Sequence, residues 1–89
     1  MNLPSLSCAR ALRDGGIDAV AALNEALRDA LIDLPPESHS EVKLAIGRAM
    51  SAVLDETVNP AVQAYPELRP DEDTWIAIAR TRAAARVAS

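Results

Sequence analysis

Apolar residues between Ser40 and Tyr65 recur at steps of three and four, the spacing of an α-helix, on two sides of the predicted helix. Projected at about 100° per residue, the first stripe contains Val42, Ala45, Ile46, Ala49, Met50 and Val53. The second stripe, on nearly the opposite side, contains Leu44, Gly47, Ser51, Leu54, Val58 and Val62. A surface helix has one apolar stripe, so a helix with two is expected to have neighbours on two sides.

The second stripe is the candidate interface of this protein. Gly47 and Ser51 lie one turn apart in it, and their small side chains let another helix approach closely. Two occupants fit: the C-terminal helix through Ala79 and Ala83, or the same stripe of a second copy about a two-fold axis. Charged residues are confined to narrow strips beside the stripes, with Glu41, Arg48 and Asp55 on one side and Lys43 on the other.

The N-terminal third is predicted to form two helices separated by glycines. A short helix runs from Ser5 to about Arg13 and stops at Gly15-Gly16, because paired glycines commonly end helices. An amphipathic helix with one apolar stripe then runs from Ile17 to Leu34. Asp18 lies in its first turn, where a carboxylate is favoured by the helix dipole, and Pro35-Pro36 ends it.

The helix with two stripes has predictable ends and one interruption. Ser38 and Glu41 have the spacing of a capping box at its start. Because the connection from Leu34 to Ser38 is short, the two helices that it joins should be antiparallel neighbours. At Asn59-Pro60 the proline either kinks the helix or follows an Asn59 that caps a new short helix.

The C-terminal part is predicted as an extended connector, Tyr65 to Pro70, followed by a helix from about Asp71 to Arg86. This helix is acidic in its first turn and basic in its last, as the helix dipole favours. Arg82 and Arg86 continue the line of Trp75 where apolar residues would be needed for a core. Packing is therefore expected to end near residue 83, with residues 84–89 as a fraying tail.

These elements predict an all-α fold: a small bundle of three main helices plus a short N-terminal helix, with antiparallel neighbours and the two-stripe helix at its centre. One domain is expected over residues 1–89, and the alternative for residues 1–16 is a loosely ordered segment. The chain has no Phe, one Trp and one Tyr, and alanine is about one residue in five. Because Ala buries little area, burial against a second copy is an expected source of stability.

The net charge limits the classes of binding partner, and the cysteine content bears on the cellular compartment. A net charge of −4 and a pI near 4.8 disfavour non-specific binding to nucleic acids and anionic membranes, and they permit a basic protein partner. A single cysteine, Cys8, excludes an internal disulfide, and no secretory signal or membrane span is recognisable, so we expect a cytoplasmic protein. The excess of Arg over Lys and the abundance of Ala are typical of GC-rich bacterial genomes.

No side-chain pattern indicates a catalytic, metal or cofactor site. His39, the only histidine, lacks ligands at zinc spacing and is expected to be a solvated loop residue. Cys8 has no second cysteine to resolve an oxidised form and is expected to be a buried, small apolar residue. Glu67 and Asp71–Asp73 lack the central Gly and closing Glu of a calcium loop, and they are expected to cap a helix.

The sequence therefore favours a small, acidic, helical protein–protein interaction module, homodimeric and without enzymatic activity. One alternative is a toxin-neutralising protein, since Tyr65-Pro66 followed by acidic residues and a final helix is similar to the arrangement in colicin immunity proteins. That resemblance is short, lacks their aromatic-rich inhibitory helix, and implies a basic enzyme as partner. Another alternative is a dimeric, nucleic-acid-associated regulator using Arg80, Arg82 and Arg86, although no aromatic residues stand between these arginines for base stacking. An enzyme would need a cleft between subunits.

Overall fold

The computed structural model describes residues 2–88, and every element in this range is helical. The elements are α1 (Leu6–Asp33), a 3₁₀ turn (Pro36–Ser38), α2 (His39–Val53), a π-helical turn (Leu54–Val58), α3 (Asn59–Ala64), a second 3₁₀ turn (Pro66–Leu68) and α4 (Glu72–Ala88). The predicted all-α class is confirmed. Met1 and Ser89, which begin the predicted N-terminal segment and end the predicted tail, lie outside the described residues.

Helix α1 is one continuous helix of 28 residues, so the predicted stop at Gly15-Gly16 is wrong. It begins as predicted, because the Ser5 hydroxyl accepts a hydrogen bond from the Cys8 amide at 3.1 Å. Neither glycine has a positive φ, so both continue the helix at a cost of about 1 kcal/mol each relative to Ala. The predicted short N-terminal helix is therefore the first part of α1.

Helix α1 lies at the centre of the fold, a place that the sequence predicted for the two-stripe helix. It contacts α2, the π-turn, α3 and α4. Within residues 2–88 the buried residues are few, and they are Ala9, Arg13, Gly16, Ile17, Val20, Val58, Ala61 and Leu68. The Cα radius of gyration is 14.7 Å, against about 12 Å for a compact chain of this length. The chain thus forms an extended structure with a small core.

The junction between α1 and α2 is held by a histidine, and the predicted capping box does not form. Ser38 lies in a 3₁₀ turn that leads directly into α2, and its side chain makes no capping hydrogen bond. His39, half-buried at the start of α2, places Nε2 2.9 Å from the Leu34 carbonyl oxygen, to which it donates a hydrogen bond. It therefore helps to satisfy the carbonyl end of α1, where a solvated loop residue was expected.

The π-turn changes which side of the helix the following residues face. The Asn59 amide donates to the carbonyl of Leu54, five residues back, and Pro60 follows directly with no amide to donate. The extra residue in this turn rotates everything after it by about 100° relative to a continuous α-helix. Val58, the last residue of the turn, and Ala61, which follows it, therefore face α1, where they are 5% and 0% exposed. The chain passes Pro60 without Asn59 capping a new helix.

The connector after α3 is fastened to α1 by a small core and a buried arginine. Leu68 forms a buried cluster with Ala9 and Ala61. Arg13 donates from Nη1 to the Leu68 carbonyl at 3.0 Å and from Nε to Asp14 at 2.9 Å. Because these bonds satisfy both the arginine and the connector backbone, they compensate for burying a charge.

Helix α4 lies against α1 without burying any residue completely. Asp71 caps its N-terminus by accepting a hydrogen bond from the Thr74 amide at 2.7 Å. Asp18 is in the interior of α1, not in a first turn as predicted, and it forms ion pairs with Arg82 and Arg86. The contact between α4 and α1 therefore continues to Arg86, beyond the predicted limit near residue 83.

Candidate interaction surface

The π-turn divides the second stripe into an exposed part and a covered part. Leu44, Gly47 and Ser51, which precede the turn, are exposed. Leu54, at its beginning, is half-buried. Val58, the last residue of the turn, is buried against α1, and Val62, which follows the turn, is half-buried. A projection at constant angle missed this division because it assumes a regular helix.

Val58 belongs to the internal contact between the π-turn and α1. A Cβ atom added to Gly16 would lie 3.0 Å from Cγ2 of Val58 and 2.9 Å from Cβ of Thr57. Those distances leave no room for a side chain at Gly16, and a second chain cannot reach Val58 there. Of the six candidate interface residues, Val58 therefore stabilises the chain itself.

The exposed part of the second stripe is open to solvent. Leu44 is 62% exposed, and a Cβ atom added to Gly47 would have no neighbour within 4 Å. We call this surface the α2 outer face; it is a shallow depression lined by Lys43, Leu44, Gly47, Arg48, Ser51, Ala52 and Asp55. Helix α4, with Ala79 and Ala83, packs against α1 instead. The hypothesis that α4 covers this face is therefore wrong.

Charged side chains border the outer face on both edges. Lys43 lies on one edge, and Arg48 and Asp55 share the other, as helical spacing requires. Neither Lys43 nor Arg48 forms an ion pair within residues 2–88. Asp55 accepts a hydrogen bond from the Asn59 side chain at 3.2 Å. The face therefore presents a narrow apolar strip between charges that are available to a partner.

The other candidate residues do not meet in one place. Cys8 is exposed, contrary to the prediction that it is buried. Arg82 and Arg86 are engaged by Asp18, and Arg80 is exposed. Across the described part of the chain, no three His, Cys, Asp or Glu side chains approach closely enough to hold a metal ion.

Two structural roles were missed at the sequence level. Gly16 provides the close approach between α1 and the π-turn, and Arg13 fastens the connector. A glycine pair inside an otherwise apolar periodic stretch was the available signal for the first. No signal in the sequence pointed to the second, because the bond from Arg13 ends on a backbone carbonyl 55 residues away.

No protein-family model, no curated protein and no solved structure matches the chain. In the described range, no helix has the length and apolar character needed to cross a membrane. What the protein does is therefore inferred from its own surface.

Proposed function

We propose that the protein is a small helical interaction module that self-associates through the α2 outer face and has no catalytic activity of its own. The observation that supports this most is the open, exposed pair Leu44 and Gly47. In the single chain Leu44 is exposed, so its side chain contributes little hydrophobic stabilisation. Gly47 lowers helix stability by about 1 kcal/mol relative to alanine. A second helix packed along this face accounts for both residues.

The total surface of the chain supports the same proposal. Its solvent-accessible area is 5987 Å², whereas a compact monomer of 9.4 kDa would expose about 5,000 Å². The excess is close to the share of about 800 Å² that each partner contributes to a standard protein–protein interface. A second copy would bury surface that the small internal core leaves in water.

The fold that this proposal implies is a bundle in which α1 and α2 run antiparallel across the short connection 34–38. Helix α2 then has α1 on its first stripe and the second copy on the exposed part of its second stripe. A homodimer of this kind also presents its acidic surface twice, which suits a basic protein as a further partner. We place the protein in the cytoplasm, where its single exposed Cys8 stays reduced.

The test is the molar mass in solution, measured by light scattering after size exclusion over a range of concentrations. The wild-type protein should approach twice 9.4 kDa as concentration rises, and Leu44→Glu should remain at the monomer mass. Ile32→Glu is the matched control, because Ile32 is an equally large side chain, 77% exposed, on α1. A wild-type protein that stays monomeric at every concentration would refute self-association.

A further inference from the structure

Building on the proposed self-association, we infer that the second copy binds antiparallel to the first, so that Arg48 of each chain pairs with Asp55 of the other. Arg48 and Asp55 are seven residues apart on α2 and the π-turn that follows it. Seven residues make almost two helical turns, so the two side chains lie about 10 Å apart along the axis and within about 20° of one line. Both are exposed on the same edge of the outer face.

Two-fold symmetry turns this spacing into complementary charge. When identical helices meet face to face in opposite directions, each edge of one lies along the same edge of the other, with its order reversed. An axis midway between Arg48 and Asp55 therefore places each arginine opposite the other chain's aspartate. Two equivalent ion pairs form, one on each side of the axis, from groups that the single chain leaves available to a partner.

The same register also accounts for the small side chains of Gly47 and Ser51 on the outer face. Ser51 lies on the outer face at the height of the axis, where the two helices come closest and little room is left for side chains. In this register Leu54 of one chain faces the gap between Gly47 and Ser51 of the other, one turn apart on the opposing helix. Leu54 is half-buried in the single chain and becomes covered in that gap.

A parallel arrangement lacks these advantages. It would place the edge that carries Lys43 along the edge that carries Arg48, with these two positive charges offset by about 7.5 Å along the helix axis. Like charges at that distance repel one another, and Asp55 would have no cation at its level. The charge pattern of the outer face therefore favours the antiparallel dimer.

Charge reversal tests this register. Arg48→Asp and Asp55→Arg should each place like charges together at both pairs and raise the dimer Kd by about tenfold at low salt. An equimolar mixture of the two variants should associate as tightly as wild type, because opposite charges then face each other at both positions. The double variant should also recover the wild-type Kd. Lys43→Asp is the control, since it leaves both proposed pairs intact and should keep the wild-type Kd.

Disulfide trapping tests the direction of the helices independently. In a Cys8→Ser background, Ser51→Cys should crosslink two chains on mild oxidation, because these positions meet at the axis. Gly47→Cys should not, since the two copies of position 47 lie about 13 Å apart in the antiparallel register, beyond the reach of a disulfide. If the wild-type protein dimerises but Gly47→Cys crosslinks, or the mixed charge variants fail to associate, the antiparallel register alone is overturned. A monomeric wild type would overturn the proposed function as well.

Discussion

Gly16 in α1 and Thr57 in the π-turn approach so closely that a methyl group at Gly16 would lie 2.9 Å from the Cβ of Thr57. The Thr57 hydroxyl donates to the Val53 carbonyl one turn earlier, which holds the threonine against α1. The π-turn that presents Thr57 is also the feature that carries Val58 into the core. Close contact at one glycine thus depends on an irregular turn more than 40 residues later in the chain.

The two adjacent glycines should respond oppositely to alanine. Gly16→Ala should lower the free energy of unfolding by about 1–3 kcal/mol, because overpacking outweighs the gain in helix propensity. Gly15→Ala should raise it by up to about 1 kcal/mol, because its new Cβ would come no closer than 3.9 Å to the side chain of Arg82. Urea unfolding of both variants measures the difference, and equal effects would contradict the contact.

Gly47→Leu separates folding from association. With no neighbour within 4 Å of its Cβ position, the leucine should be accommodated by the single chain and should raise helix stability by about 0.8 kcal/mol. The same side chain would fill the space in which the second copy is proposed to pack. Circular dichroism should therefore show an intact helical fold, while light scattering shows loss of the dimer. A Gly47→Leu protein that still dimerises would exclude close packing at this residue.

Asp18 should stabilise the packing of the C-terminal turns of α4 against α1. It is the carboxylate that pairs with Arg82 and Arg86, and its side chain is 17% exposed. Asp18→Asn should speed amide hydrogen exchange in the last turns of α4 and reduce stability by about 1 kcal/mol or less, since both arginines are half-exposed. Asp29→Asn, at an exposed position of the same helix, is the control and should leave exchange in α4 unchanged. Added salt should weaken the wild-type contact in the same direction.

The Asp71 cap of α4 should make the free energy of unfolding depend on pH below about pH 5. The hydrogen bond from the Thr74 amide lowers the pKa of Asp71 below its ordinary value of 3.8. Because the folded-state pKa is lowered, the stabilising contribution is complete above about pH 4 to 5 and is lost as pH falls through the folded-state value. The stability difference between wild type and Asp71→Ala should therefore shrink between pH 5 and pH 2. A difference that stays constant over this range would show that the carboxylate charge does not contribute.

Features set by local chemistry were predictable from sequence. Helical periodicity gave the all-α class, and Pro35-Pro36 marked the end of α1, because the residue before a proline leaves the helical region. Acidic residues beginning at Asp71 marked the start of α4. Each of these outcomes depends on interactions between residues close together in the sequence, so the local sequence is enough to predict it.

Tertiary contacts decided the rest. Gly15-Gly16 could end a helix or continue one, and the continuous form is favoured because Gly16 alone lets the π-turn approach α1. Arg82 and Arg86 belong to the contact between helices because Asp18, more than 60 residues earlier, faces them.

For the candidate interface, the sequence by itself determined that α2 carries apolar and small residues on a second side. Only the tertiary structure decided that Leu44, Gly47 and Ser51 stay exposed while Val58 is buried. The physical reason is the π-turn. One additional residue in a helical turn rotates the rest of the helix, and whether that turn forms depends on what the rotated residues find to pack against.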